Sequence, residues 1–230
     1  MNETSHPPLL DQLRQRAEAV RREREAARLP EAEAQRAMEA ALWRAFRWLD
    51  EAVGHLEVIR PEVAHHFRLA DYLTIDRPRF DGGFASFRRH GLGAGDVGLE
   101  HVEMFYQLTV PEPIVVRVNS VAARAVEERL RAASLDFASE AEHDADNVIR
   151  QSVFRIEPQI RASVAFKPNL SRRVVDVTLR NVDRFESVLL EFEPAAIDEP
   201  ALEDLARFVL GESKAFLHRA PLARVNPRRA

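Results

Sequence analysis

Apolar positions recur along this chain with two different periods, and the change between them divides it. Through residue 59, Met38, Leu42, Ala45, Leu49, Ala52, Leu56 and Ile59 keep a strict 4-3-4-3-4-3 spacing, with Phe46 and Val53 widening the stripe. Upstream, Leu10, Leu13, Ala17 and Val20 hold a similar spacing that fails at Arg24. Charges of both signs are interleaved throughout, as on a solvated helix face. Pro30 suits the first turn of a helix, because its missing N–H has no partner there anyway. The pattern predicts two helices, near 9–28 and 31–59, with a kink or short turn near Pro30 and a stop at Pro61.

From about residue 64 the period becomes two. "FRLADYLTI" sets Phe67, Leu69, Leu73 and Ile75 on one side of a strand, and Asp81-Gly82-Gly83 reads as a turn, since glycine takes positive φ without steric cost. "GLGAGDVG" (91–98) reads as a second, looser turn before "VGLEHVEMFYQLTV", and "VPEPIVVRVN" as a further strand. Residues 120–134 return to helical spacing through Ala122, Val126, Leu130 and Ala133, with Ser120 as the expected N-cap. Strands are expected at 148–156, 160–167, 172–181 and 187–193. A last helix is capped by Asp198, with Pro200 in its first turn and Gly211 closing it.

Strand runs joined by short turns, with no regular βαβ alternation, define an α+β fold. It comprises a helical arm over 1–60, a mainly antiparallel sheet domain with two packed helices over 61–212, and a basic tail over 213–230 expected to be frayed.

Composition narrows the chemistry. The 230 residues include no cysteine, which excludes disulfides, thiolate catalysis and thiolate-bound metals. Basic residues are almost all arginine, a bias that fits a bacterial genome of high GC content, and Lys167 and Lys214 are the only lysines. The start MNETSHPPLL lacks the basic and apolar regions of a signal peptide, and no apolar run is long enough to span a membrane, so a cytoplasmic protein is expected. The net charge of −4 gives no overall attraction to nucleic acid. The arginine pairs Arg88-Arg89 and Arg172-Arg173 and the basic tail are the features pointing that way.

The nearest approach to a chemical constellation lies in "EHVEMFYQLTV". Val102, Met104, Tyr106, Leu108 and Val110 share one strand face; His101, Glu103, Phe105, Gln107 and Thr109 share the other. Same-face neighbours lie roughly 6.5–7 Å apart, workable for an acid/base pair. Half-exposed antiparallel strands produce the same spacing, and Phe105 on the polar side is the detail that suggests a covered face or a pocket. Asp71, between Leu69 and Leu73, and Arg88 complete the catalytic candidates. His65 and His66 point to opposite faces of a strand and cannot chelate together. The acidic run Glu140, Glu142, His143, Asp144, Asp146 lacks the glycine and distal glutamate of an EF-hand loop. "RRHGLGAGDVG" has neither the lysine nor the following helix of a phosphate loop. No cofactor or metal is expected.

Trp43 and Trp48 flank the helical stripe on opposite sides of Phe46. The long stripe predicts a non-enzymatic interaction module that forms a homodimer or docks a partner protein through residues 31–59, with Met38, Leu42, Trp43, Phe46, Trp48, Leu49 and Leu56 at the interface. The alternatives are a small-molecule or enzymatic domain using His101 and Glu103, and nucleic-acid binding through the arginine pairs and tail.

Overall fold

The computed structural model describes residues 9–70, 73–89, 98–143 and 149–227. The first element, α1, is one continuous helix, Leu9–Ile59, about 76 Å long at ~1.5 Å per residue. The break expected at Pro30 is not there. A single proline costs one backbone hydrogen bond, and the strong helix formers Ala, Glu, Gln and Arg on either side carry the helix through it.

Strands β1 (His66–Ala70) and β2 (Leu73–Asp76) form a small antiparallel hairpin, with Phe67 opposite Ile75. The sequence pattern suggested one strand here. Both arrangements keep Phe67, Leu73 and Ile75 on the same side, so alternation alone does not separate them, and all three are buried.

Six strands make the main sheet, in the order β11-β10-β9-β8-β4-β3, with every pairing antiparallel. They are β3 (Arg79–Arg89), β4 (Leu99–Thr109), β8 (Gln159–Asn169), β9 (Val174–Arg180), β10 (Glu186–Phe192) and β11 (Leu222–Pro227). The expected turn at Asp81-Gly82-Gly83 is instead the interior of β3. Its register slips between Phe80 and Gly82, so Asp81 is the extra residue of a β-bulge. Gly83 is needed for close approach rather than for a turn, since a Cβ there would lie 2.6 Å from the Phe105 carbonyl oxygen.

One face of this sheet carries Val102, Met104, Tyr106, Leu108, Ile160, Val164, Phe166, Val177, Leu179 and Leu190, all buried. Onto it packs α1, mainly along the edge strand β3, together with α3 (Glu199–Val209). Met38, Leu42, Ala45, Leu49 and Val53 are at most 4% exposed, so the helical stripe belongs to the core of its own sheet. The caps of α3 are as the sequence predicts: Asp198 accepts from the Ala201 N–H at 2.9 Å, and Gly211 closes the helix at φ 77°.

Between β4 and β8 the chain builds a second, smaller sheet with its own helix: β5 (Ile114–Asn119), α2 (Ser120–Ala132), β6 (Asp136–His143) and β7 (Ile149–Glu157), its three strands ordered β5-β7-β6. Asn119, not Ser120, caps α2 by accepting from the Ala122 N–H at 2.9 Å. Glu140, Glu142 and His143, expected in an acidic loop, lie in β6; Asp144 and Asp146 fall outside the described residues. Val116, Val126, Leu130, Phe154 and Ile156 are buried there. Arg161 on β8 pairs with Asp136 at 3.0 Å and ties the two sheets together.

The segment expected to fray is structured through residue 227. Phe216 is buried and stacks on Phe192 with ring centroids 5.2 Å apart, and β11 adds an edge strand beside β10. One buried aromatic and a strand's worth of backbone hydrogen bonds outweigh the charge that dominates this stretch in sequence.

Candidate functional site on the open sheet face

The helices cover one face of the six-stranded sheet. The other carries the polar side of β4, and the register places every sequence candidate on it except Asp71, which lies outside the described residues. His101 is opposite Arg88, Glu103 opposite Ser86, and Phe105 opposite Phe84. On the other flank of β4, Glu103 faces Ala165, Phe105 faces Ser163 and Gln107 faces Arg161. His101, Glu103 and Arg88 are thus brought together on one surface. His101 and Glu103 are half-buried, and among the described residues no hydrogen bond joins them to each other or to a third group.

The more distinctive feature lies two residues further along. The rings of Phe84 and Phe105 sit 5.4 Å apart, tilted by 33°, and are 58% and 38% exposed. Beside them is a cleft of about 440 Å³ lined by Gly82, Gly83, Phe105, Gln107, Arg161 and Ala162. Gly83, Tyr106 and Ala162 occupy matching positions on three adjacent strands, and the Tyr106 and Ala162 side chains are buried on the core face; on this face the row presents backbone. The aromatic pair forms one wall, and Gln107 and Arg161 form the other. Gln107 accepts from the Gln159 side-chain amide at 3.0 Å.

The sequence singles out Phe105 but not Phe84 beside it, nor Arg161 and Arg180 on the same face of β8 and β9. They come from three strands up to 96 residues apart in sequence, and only pairing register brings them to one face around Phe105.

The interface candidates divide. Met38, Leu42 and Leu49 are core residues. Leu56 and Trp48 are half-buried against the same core. Trp43 and Phe46 form an aromatic cluster with Phe87 of β3 at centroid distances of 4.8–6.0 Å, and the Arg89 guanidinium lies 5.6 Å from the rings of both Trp43 and Phe87. Their apolar contact is thus largely made within the chain.

Two buried polar groups lie on the helix-covered side. His65 and His66 diverge as expected: His66 lies against Asp76 at the surface, whereas His65 is buried and its Nε2–H donates to the Phe208 carbonyl at 2.7 Å. Burial pushes the His65 pKa below its ordinary value, with the Phe208 hydrogen bond and the charge of Asp183 opposing it. The Tyr106 hydroxyl is buried without a hydrogen-bond partner among the described residues, and burial, reinforced by Asp183, raises its pKa far above the usual range. Asp183 itself pairs with Arg184 at 3.0 Å and approaches Lys214 at 4.0 Å. Among the described residues no three acidic or imidazole groups are grouped to hold a metal ion, and no helix is long and apolar enough to cross a membrane.

No protein-family model, no curated protein and no solved structure matches this chain.

Proposed function

We propose that this protein is a non-enzymatic interaction module that self-associates as a dimer through the N-terminal half of α1. The observation that carries the reading is the mismatch between helix and domain. Ala34 is the first described side chain of α1 that packs on the core, which leaves residues 9–30, about 33 Å of helix, ahead of it. In sequence the apolar spacing of Leu10, Leu13, Ala17 and Val20 falls within the first half of that length, and Ala17, its one described side chain, is exposed in the single chain.

A second copy is the occupant that fits. Arg16 and Glu18 flank Ala17 with charges of opposite sign, so two such helices laid antiparallel about Ala17 set a basic against an acidic position. The core stripe from Met38 to Val53 then holds α1 to its own sheet, and the upstream half joins the two chains.

The test is the solution mass of the full chain, of a chain beginning at Glu31, and of Ala17→Asp, by light scattering over a wide range of concentration. The expected result is twice the 26.2 kDa chain mass for the first and folded monomers for the other two. A full chain that stays monomeric at every concentration, or a dimer that survives both changes, overturns the proposal.

A further inference from the structure

Phe84, Phe105, Ser163 and Arg180 are successive register partners across β3, β4, β8 and β9, and they form one transverse row on the open face. Two exposed aromatic rings at one end of the row are separated from an exposed arginine at the other by a serine that is only 5% exposed. The next row repeats the small spacer, with Ala165 beside Glu103. Two further cations, Arg88 and Lys167, stand on the same face, opposite His101 and Asp176 respectively.

We propose that this face binds single-stranded nucleic acid, with unstacked bases lying on the Phe84–Phe105 pair and phosphates meeting Arg88, Lys167 and Arg180. Exposed aromatic rings on an open antiparallel sheet hold bases by stacking, which is tolerant of sequence because every base has a π-face. Here the two rings are close enough to form one continuous platform. The cleft next to them adds a group that can address a base edge, the Gln107 amide, which is both donor and acceptor; the Arg161 guanidinium beside it is held by Asp136.

Charge distinguishes this ligand from a protein partner. The chain is net negative, yet Arg88, Lys167 and Arg180 are exposed with no carboxylate partner among the described residues. The acids on this face are largely engaged elsewhere. Glu191 pairs with Arg172, Asp136 pairs with Arg161, and Asp176 accepts from the Asn169 amide at 3.1 Å while its other oxygen is buried, which leaves Glu103 as the acid beside Phe105 on β4. An apolar protein surface docked on Phe84 and Phe105 would bury uncompensated cations, which is costly; a phosphate backbone pairs with them.

Binding of fluorescent oligouridylate and oligothymidylate of about twelve nucleotides to the full chain, followed by anisotropy at low and moderate salt, tests this. Saturable binding that weakens with salt is expected. Phe84→Ala and Phe105→Ala should each weaken it by about 5- to 150-fold, Phe105→Trp should retain it, and Arg180→Gln should lower the salt slope by about 0.7. All four substitutions fall on the surface, so unchanged melting temperatures should accompany these effects. No binding of either oligomer at low salt, or binding indifferent to both Phe→Ala changes, overturns the proposal. So does competition by uridine monophosphate as effective as by the oligomer, which would make the ligand a small nucleotide. Ala17→Asp, which breaks only the proposed dimer, should still bind, so the two proposals fail separately.

Discussion

His65 donates its Nε2–H to the carbonyl oxygen of Phe208 across 143 residues of sequence, and the neighbouring Ala64 N–H donates to the Leu210 carbonyl at 2.8 Å. The last carbonyls of a helix have no partner within it. In α3 two of them are satisfied by the segment that links α1 to β1, so the end of one helix is held by the chain leaving another. Both bonds are buried or close to the core, where an unmade bond costs more than a made one contributes.

This clamp makes stability depend on pH in a defined direction. The folded His65 pKa lies below the ordinary 6.5, so the unfolded chain binds more protons than the native one in the interval between the two values. The stability from a neutral His65 is therefore complete above 6.5, declines as pH falls below it, and levels off beneath the folded value. Melting curves from about pH 7 to about pH 5 should show a steeper loss for the wild type than for His65→Gln, which cannot titrate. Parallel curves would remove His65 from the account.

Gly211 should not tolerate a side chain. It closes α3 at φ 77°, and a Cβ there would lie 2.7 Å from the Ala64 backbone carbon. Gly211→Ala meets both the left-handed penalty and a backbone clash within the same clamp, so a loss of about 2–4 kcal/mol is expected in denaturant unfolding. Gly54 is the control, because a Cβ added there would meet nothing within 4 Å. Gly54→Ala in the middle of a helix should be neutral or slightly stabilising.

Leu49→Ala should cost about 2–5 kcal/mol, because Leu49 is 1% exposed under the sheet. Leu49→Asp should prevent folding altogether. A folded Leu49→Asp monomer would mean that this position faces a second chain instead of its own core.

The C-terminal segment should behave as part of the domain. Phe216→Ala removes a ring buried against Phe192, for an expected loss of about 3–5 kcal/mol, and deletion from residue 213 onward should lower the melting temperature sharply. A truncated chain with native stability would show that β11 and Phe216 are dispensable.

The sequence by itself determined the fold class and most elements. Periodicity is local, so the helical character of the first sixty residues, the helices at 120–132 and 199–209 and five of the later strands are legible from spacing and caps alone, whereas the continuity of α1 through Pro30 is not. It also showed that Phe105 sits on the polar side of its strand. Tertiary structure decided what each pattern meant. The 38–53 stripe is equally good for a coiled coil or for a sheet, and the apolar face of β3, β4 and β8 claims it here. Asp81-Gly82-Gly83 is equally good for a turn or a bulge, and the Phe105 carbonyl beside Gly83 selects the bulge. The basic tail folds because Phe216 finds Phe192, a contact that local composition does not encode. The open face likewise exists only through register: hydrogen bonding between strands, not spacing along any one of them, sets Phe84 beside Phe105 and Arg180 in their row.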